Sequence, residues 1–123
     1  MKGTILYAED IMANFLLVRH VLEQADIHVE HASNGMDAVR MFLSHPNVYK
    51  LILMDLQMPE LNGYEATRKI RETAEGKTIL ILGFSDQEER MALQNCLECG
   101  MNGFISKTSS PDEWAQTILN LIQ

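Results

Sequence analysis

The sequence has no excess of basic residues and no long apolar run, and each absence excludes a class of function. Ten Lys and Arg stand against 17 Asp and Glu, which gives a formal net charge of −7. Because phosphate contacts need a basic face, this balance argues against binding of nucleic acid or of an anionic membrane. No apolar run reaches the length of a membrane span or of a signal-peptide core, which predicts a cytoplasmic protein.

Cysteine is also scarce, with only Cys96 and Cys99. Their spacing is compatible with zinc or redox chemistry, but zinc needs two more ligands, and the four histidines show no helical ligand spacing. The segment MALQNCLECG has the apolar spacing of a helix that ends at Gly100, where the helix dipole opposes formation of a thiolate. A structural role is therefore favoured for both thiols.

Short aliphatic and β-branched runs alternate with helical patterns along the whole chain. The runs predict strands at 4–8, 28–32, 51–55, 78–84 and 103–106. Apolar spacing predicts helices at 12–25, 36–43, 64–71, 88–99 and 111–122. This alternation implies an α/β protein with a parallel sheet and helices on both faces. The 123 residues, 46% of them apolar, suit a single domain over residues 1–123.

Polar side chains stand at the carboxyl ends of four predicted strands. Glu9 and Asp10 follow the first strand, Asp55 ends the third, Ser85 follows the fourth, and Lys107 follows the fifth. In doubly wound sheets these ends share one edge, where ligands bind. We therefore expect three carboxylates, a hydroxyl and an ammonium to meet there.

The charges at this edge predict a metal and a reaction. Three clustered carboxylates repel one another unless a hard cation lies among them, and Mg²⁺ commonly takes one to three carboxylates while keeping several waters. Such an ion attracts a phosphoryl group, whose other oxygens Lys107 and Ser85 could hold. Asp55 could then act as the nucleophile that forms an acyl phosphate.

Four segments carry a resemblance to a known family: AED at 8–10, LILMDLQMPELNGYEATRKIR at 51–71, Ser85, and FISK at 104–107. They closely resemble the receiver domains of two-component response regulators, particularly those of hybrid sensor kinases. The resemblance covers the whole chain. It implies a flavodoxin-like (βα)5 fold with five parallel strands in the order 2-1-3-4-5.

The resemblance also implies a ligand set. Asp55 would be the phosphoacceptor, and Glu9, Asp10, Asp55 and the backbone carbonyl of Gln57 would bind Mg²⁺. The Pro59 to Gly63 turn after Asp55 is expected to be stiff. In that turn, glycine should permit a backbone angle that other residues resist.

Three more roles follow from the resemblance: Ser85 as switch hydroxyl, Phe104 as switch aromatic and Lys107 as phosphoryl-binding cation. Each has a plainer alternative, because Ser85 could cap a helix, Lys107 could be a solvated loop charge and Phe104 could belong to the core. Asp10 could likewise cap a helix, but capping does not explain three acids. Their joint occurrence at one edge favours a site.

Departures from the family pattern predict local differences. An acid, Asp86, follows the switch hydroxyl where a small residue is usual, and should hinder an anionic donor; Gln57 and Gln87 are further candidate modulators of access or hydrolysis. Lys107 is followed by Thr108 rather than proline, so the bond between them should be trans. We expect a trans bond to place Lys107 farther from the phosphoryl site than the family pattern implies.

The sequence thus predicts a phosphorylation-controlled switch that takes a phosphoryl group from a histidine kinase or histidine phosphotransfer domain. Self-phosphorylation and self-dephosphorylation would be its only catalysis, and the last two helices could join two copies. A receiver-like module that never accepts phosphate stays open as an alternative. A phosphatase of the haloacid dehalogenase type is disfavoured, since it needs a second Asp where Gln57 stands. Both a free-standing regulator and a domain of a larger kinase fit the sequence.

Overall fold

The computed structural model describes residues 1–86 and 89–123, which form five strands and five helices in strict alternation. The strands are β1 Gly3–Ala8, β2 Ile27–Ala32, β3 Tyr49–Asp55, β4 Leu80–Ser85 and β5 Gly103–Ser106. The helices are α1 Met12–Gln24, α2 Gly35–Ser44, α3 Gly63–Arg71, α4 Glu89–Cys99 and α5 Pro111–Ile122. No helix in these parts of the chain is long and apolar enough to cross a bilayer.

All neighbouring strands pair in parallel, in the order β2-β1-β3-β4-β5. The predicted fold is therefore confirmed. The apolar run of β3 lies at the centre of the sheet, as expected for a strand covered on both faces. β4 begins two residues later than predicted. The backbone just before β4 is held by a side chain of α3, because the Ile79 carbonyl accepts a hydrogen bond from Arg71 Nη1 at 2.7 Å.

Two apolar layers cover the sheet, one on each face. α1 and α5 pack through Phe15, Leu22, Trp114 and Ile118 against one face. The other three helices cover the opposite face. Strand residues alternate between the layers, which is the period-two pattern expected of a sheet buried on both sides.

The two cysteines lie in the layer that contains α4. Both are buried free thiols, and Cys96 Sγ packs so close to Gly83 that a Cβ at that position would lie 2.6 Å from it. Burial raises the pKa of the Cys96 thiol to about 12 and also raises the pKa of Cys99. These are the properties of packing residues rather than of reactive thiols.

Candidate functional site

The central strands bring the predicted carboxylates together. β1 and β3 are neighbours, with Ala8 paired to Met54, so Glu9 and Asp55 follow side by side. Each of the acids Glu9, Asp10 and Asp55 places one carboxylate oxygen within 4.8 Å of the others. Glu9 is 0% and Asp55 4% exposed, whereas Asp10 is exposed.

Lys107 completes the cluster from the far end of the chain. Its Nζ lies 3.1 Å from Glu9 Oε1 and 3.5 Å from Asp55 Oδ2. The same ammonium stands 5.4 Å from the centre of the Phe84 ring, which adds a cation–π contact. The expected meeting of acids and lysine at the carboxyl edge is therefore present.

The peptide bond between Lys107 and Thr108 is trans, as predicted from the missing proline. The trans bond does not keep Lys107 from the site, since its ammonium contacts both Glu9 and Asp55. The Lys107 backbone N–H donates to the Ser85 carbonyl at 2.8 Å, which fixes the start of the loop beside β4. From there the side chain reaches both carboxylates, because its flexible four-carbon stem lets the ammonium take many positions.

The pKa values of the two buried carboxyl groups, Asp55 and Glu9, shift in opposite directions. Burial raises the pKa of Asp55 to about 7, and its hydrogen bond with Glu9 acts in the same direction; the Gln57 N–H and Lys107 oppose the rise without cancelling it. Burial would also raise the pKa of Glu9, but hydrogen bonds from Asp55 and Tyr7 and the charge of Lys107 hold it below its usual range. Burial therefore favours the protonated form of Asp55 over that of Glu9, and an approaching cation would favour the charged form of both.

Ser85 and Phe104 lie on adjacent strands at different heights. Ser85 is buried at the end of β4, one residue beyond Phe84, which pairs with Asp55. Phe104 pairs with Gly83 and is partly buried against the layer of α2, α3 and α4. Ser85 thus lies at the edge of the site, and Phe104 lies one residue before Ile105, the β5 residue level with Asp55. The switch roles of Ser85 and Phe104 stay predictions.

The candidate modulators are Gln57, Asp86 and Gln87, and only Gln57 has a described hydrogen bond with Asp55. The Gln57 side chain is exposed, while its backbone N–H donates to Asp55 Oδ1 at 3.1 Å. Asp86 is exposed directly after Ser85. Gln87 lies outside the described residues. The Mg²⁺ role of the Gln57 carbonyl also stays a prediction.

The turn after Asp55 differs from the expectation for Gly63. Gly63 does not have a positive φ; the left-handed residue is Glu60, at φ 67°. Glycine is needed at 63 for space, because a Cβ there would lie 2.3 Å from the Asp55 carbonyl oxygen. Asn62 then begins α3 with a reciprocal capping box to Glu65, which fixes the turn beneath the site.

Two contacts of Glu9 were not predicted from the sequence. Tyr7 donates its hydroxyl to Glu9 Oε1 at 2.8 Å, and His31 Nε2 lies 2.8 Å from the Glu9 backbone oxygen. The His31 ring stacks on Phe15 at 3.9 Å. A signal for Tyr7 was available, since residues two apart on a strand project to the same face. A polar aromatic two positions before a buried acid is thus a candidate partner for it.

The fold and the site together define a flavodoxin-like α/β protein with an acidic site closed by one lysine. The family model of the response regulator receiver domain matches residues 5–119. The chain therefore belongs to the response regulator receiver family, the regulatory phosphoacceptor domains of two-component signalling. The resemblance stated from the sequence is confirmed.

Individual relatives include both small regulators and large kinases. The two-component response regulator ORR5 of Oryza sativa subsp. japonica is 28% identical over 109 residues, covering 89% of this chain and 81% of that protein. Probable histidine kinase 6 of the same plant is 27% identical over 136 residues, covering 96% of this chain but only 14% of the kinase.

A solved structure provides a closer view of such a site. The receiver domain of the sensor histidine kinase PA1611 from Pseudomonas aeruginosa is 30% identical to this chain, with a TM-score of 0.85. The match covers 98% of this chain and 97% of that one. That structure has a magnesium ion coordinated in its active-site cleft.

Proposed function

We propose that this domain is a phosphorylation-controlled switch in which Asp55 accepts a phosphoryl group from the phosphohistidine of a histidine kinase or histidine phosphotransfer domain. The observation that supports it best is the placing of Asp55. It is buried at the end of a central strand, with Oδ1 hydrogen-bonded to the Gln57 N–H and Oδ2 3.5 Å from Lys107 Nζ. A nucleophile held between an amide and an ammonium is poised for a dianionic group.

The donor set of the site fits a magnesium ion. Glu9, Asp10 and Asp55 would hold it, since three carboxylate oxygens within 4.8 Å of one another form a hard, anionic set that one lysine does not neutralise. When bound, Mg²⁺ would stabilise the charge on the phosphoryl oxygens during transfer. The magnesium in the related PA1611 receiver domain supports the assignment.

The transfer itself needs three actions of the chain. Asp55 reacts as the carboxylate, having lost any proton to solvent as the cation binds, and one of its oxygens attacks the phosphorus. The bond between phosphorus and the donor imidazole nitrogen breaks, and its electron pair returns to the imidazole. Lys107 turns from the carboxylates to an oxygen of the transferred group, which its charge stabilises on Asp55. Slow hydrolysis of the acyl phosphate would reset the switch.

The signal would leave the site through the strand ends. A phosphoryl group adds about two negative charges, and drawing Lys107 toward them pulls on the loop that is bonded to the Ser85 carbonyl. Ser85 and Phe104 are the residues we assign to the resulting shift. Exposed apolar side chains on α4, Met91 (63%) and Leu97 (53%), and on α5, Leu121 (41%), would give the last two helices a surface for a partner or a second copy.

The donor would approach over the start of α1. Ile11, Met12, Leu16 and Leu17 are 45–55% exposed there, close behind the acids at 9 and 10. Such a patch beside a charged site suits the apolar face of a donor helix. A cytoplasmic location and the lack of nucleic-acid binding stay predictions.

The proposal is tested by incubating the protein with phosphoramidate and Mg²⁺ and measuring acid-labile phosphate on the chain. We expect labelling, and binding of beryllofluoride when Mg²⁺ is present. Failure of both would support the silent interaction module instead. Sustained turnover of p-nitrophenyl phosphate would support the phosphatase, although the exposed Gln57 provides no carboxylate for it.

We expect Asp86→Ala to speed labelling by phosphoramidate at least about threefold. One negative charge about 6 Å from an anionic donor costs about 0.7 kcal/mol in water and up to about 3 kcal/mol at an effective dielectric of 20, so threefold is the low end of the range even though salt offsets part of the effect. Glu75→Ala is the control, because Glu75 is also exposed but lies in the loop before β4, at the opposite edge of the sheet. Equal rates for Asp86→Ala and wild type, with only lower stability in the variant, would assign Asp86 to support of the following helix.

A further inference from the structure

Tyr7 is packed between two aromatic rings and hydrogen-bonded through its hydroxyl. The ring is 0% exposed in β1, stacked on Phe15 of α1 at 5.8 Å and edge-on to Phe84 of β4 at 5.9 Å between ring centres. Its hydroxyl donates to Glu9 Oε1 at 2.8 Å. Because aromatic packing on two sides holds the ring, this hydrogen bond is preorganised.

The oxygen that Tyr7 contacts has a second donor that is needed elsewhere. Lys107 Nζ lies 3.1 Å from Glu9 Oε1 and 3.5 Å from Asp55 Oδ2. A phosphoryl group on Asp55 would compete with the Glu9 carboxylate for this ammonium, because its greater negative charge attracts Lys107 more strongly. When Lys107 turns away, Oε1 loses one of its two donors in a place without solvent, and an unsatisfied buried carboxylate is costly.

We propose that Tyr7 is a positioning residue of the phosphorylation site. Its hydroxyl holds the Glu9 carboxylate in place for Mg²⁺, and it keeps Oε1 hydrogen-bonded while Lys107 serves the phosphoryl group. The inference rests on the proposed function of Asp55. Without the hydroxyl, Lys107 remains as the donor to Oε1, where its charge opposes an incoming cation and is withheld from Asp55.

The chain provides a matched control for this hydrogen bond. Tyr49 is 6% exposed at the start of β3, and its hydroxyl donates to Glu30 Oε1 at 2.7 Å. Tyr49 pairs with Thr4, at the opposite end of the strands from Glu9. Tyr49→Phe thus removes the same kind of bond, away from the acids.

The experiment compares Tyr7→Phe, Tyr49→Phe and wild type in three measurements on the whole chain. These are Mg²⁺ affinity by calorimetric titration, beryllofluoride affinity at saturating Mg²⁺, and the rate of labelling by phosphoramidate. For Tyr7→Phe we expect about tenfold weaker Mg²⁺ binding, the size typical of losing an outer partner of a metal ligand. We also expect slower labelling that added Mg²⁺ does not restore. Tyr49→Phe should match wild type in all three.

Thermal unfolding separates this role from a general loss of stability. Both substitutions remove one tyrosine–glutamate hydrogen bond, which is buried at Tyr7 and partly buried at Tyr49, so we expect both to lower the melting temperature. Wild-type affinities for Mg²⁺ and beryllofluoride in Tyr7→Phe, or equal losses in Tyr49→Phe, would overturn the role of Tyr7 alone. A wild-type protein that binds neither would overturn the proposed function and this role with it.

Discussion

Replacing Asp55 with Asn is expected to abolish the incorporation of acid-labile phosphate from phosphoramidate. The amide cannot form an acyl phosphate, and no other described carboxylate has the same contacts with both Gln57 and Lys107. The labelled fraction should fall to background at any Mg²⁺ concentration. An Asn variant that labels to the wild-type stoichiometry would remove Asp55 from the role.

The same substitution should make the domain more stable at alkaline pH. The folded-state pKa of Asp55 is raised to about 7, so the folded protein holds this proton more tightly than the unfolded chain does. The stability that the proton contributes is complete below about pH 4, the pKa of an unfolded Asp, and is lost as the pH rises through 7. Asn has no proton to lose, and its amide can still donate to Glu9.

Urea unfolding at pH 5 and pH 8, without Mg²⁺, measures this difference. We expect the advantage of Asp55→Asn over wild type to grow to roughly 1–3 kcal/mol at pH 8. Asp112→Asn, on the exposed first turn of α5, controls for the change in net charge. A wild-type protein as stable as the variant at pH 8 would contradict the raised pKa of Asp55.

The parallel sheet with helices on both faces could be predicted because the sequence patterns and the physics of packing agree, whereas the strand order followed only from the family resemblance. The apolar run before Asp55 has no alternation, as a strand covered on both faces requires, and it occupies the centre of the sheet. The acids, Ser85 and Lys107 could then be assigned to one edge, since parallel strands end on the same side. The ends of the helices and strands could be predicted less accurately, since β4 begins two residues after the predicted start.

Contacts that depend on side-chain conformation could not be predicted in the same way. Lys107 and Glu9 are 98 positions apart, and nothing in the spacing indicates that the stem of Lys107 compensates for a trans bond. At Gly63 the residue type indicated a special backbone requirement, but the requirement is space beside the Asp55 carbonyl. The composition of the turn does not distinguish a close approach from a left-handed angle.

Asp10 should be the acid on which Mg²⁺ binding depends most. Glu9 and Asp55 are buried and already contact Lys107, whereas Asp10 is exposed and can meet an ion that still carries waters. Because Mg²⁺ dehydrates reluctantly, a site left with two carboxylates that share an ammonium cannot compensate for the lost water. We expect Asp10→Ala to weaken Mg²⁺ binding at least about 100-fold, beyond the effect typical of an outer partner.

Calorimetric titration of Asp10→Ala and of Asp112→Ala, which removes another exposed acid on α5, measures this directly. The control should bind Mg²⁺ as wild type does, so a general effect of net charge is excluded. Without Mg²⁺, Asp10→Ala should be at least as stable as wild type, because it relieves repulsion among three acids within 4.8 Å of one another. A variant that combines wild-type Mg²⁺ affinity with an intact fold would show that Asp10 is no ligand, and the ion would have to be placed elsewhere.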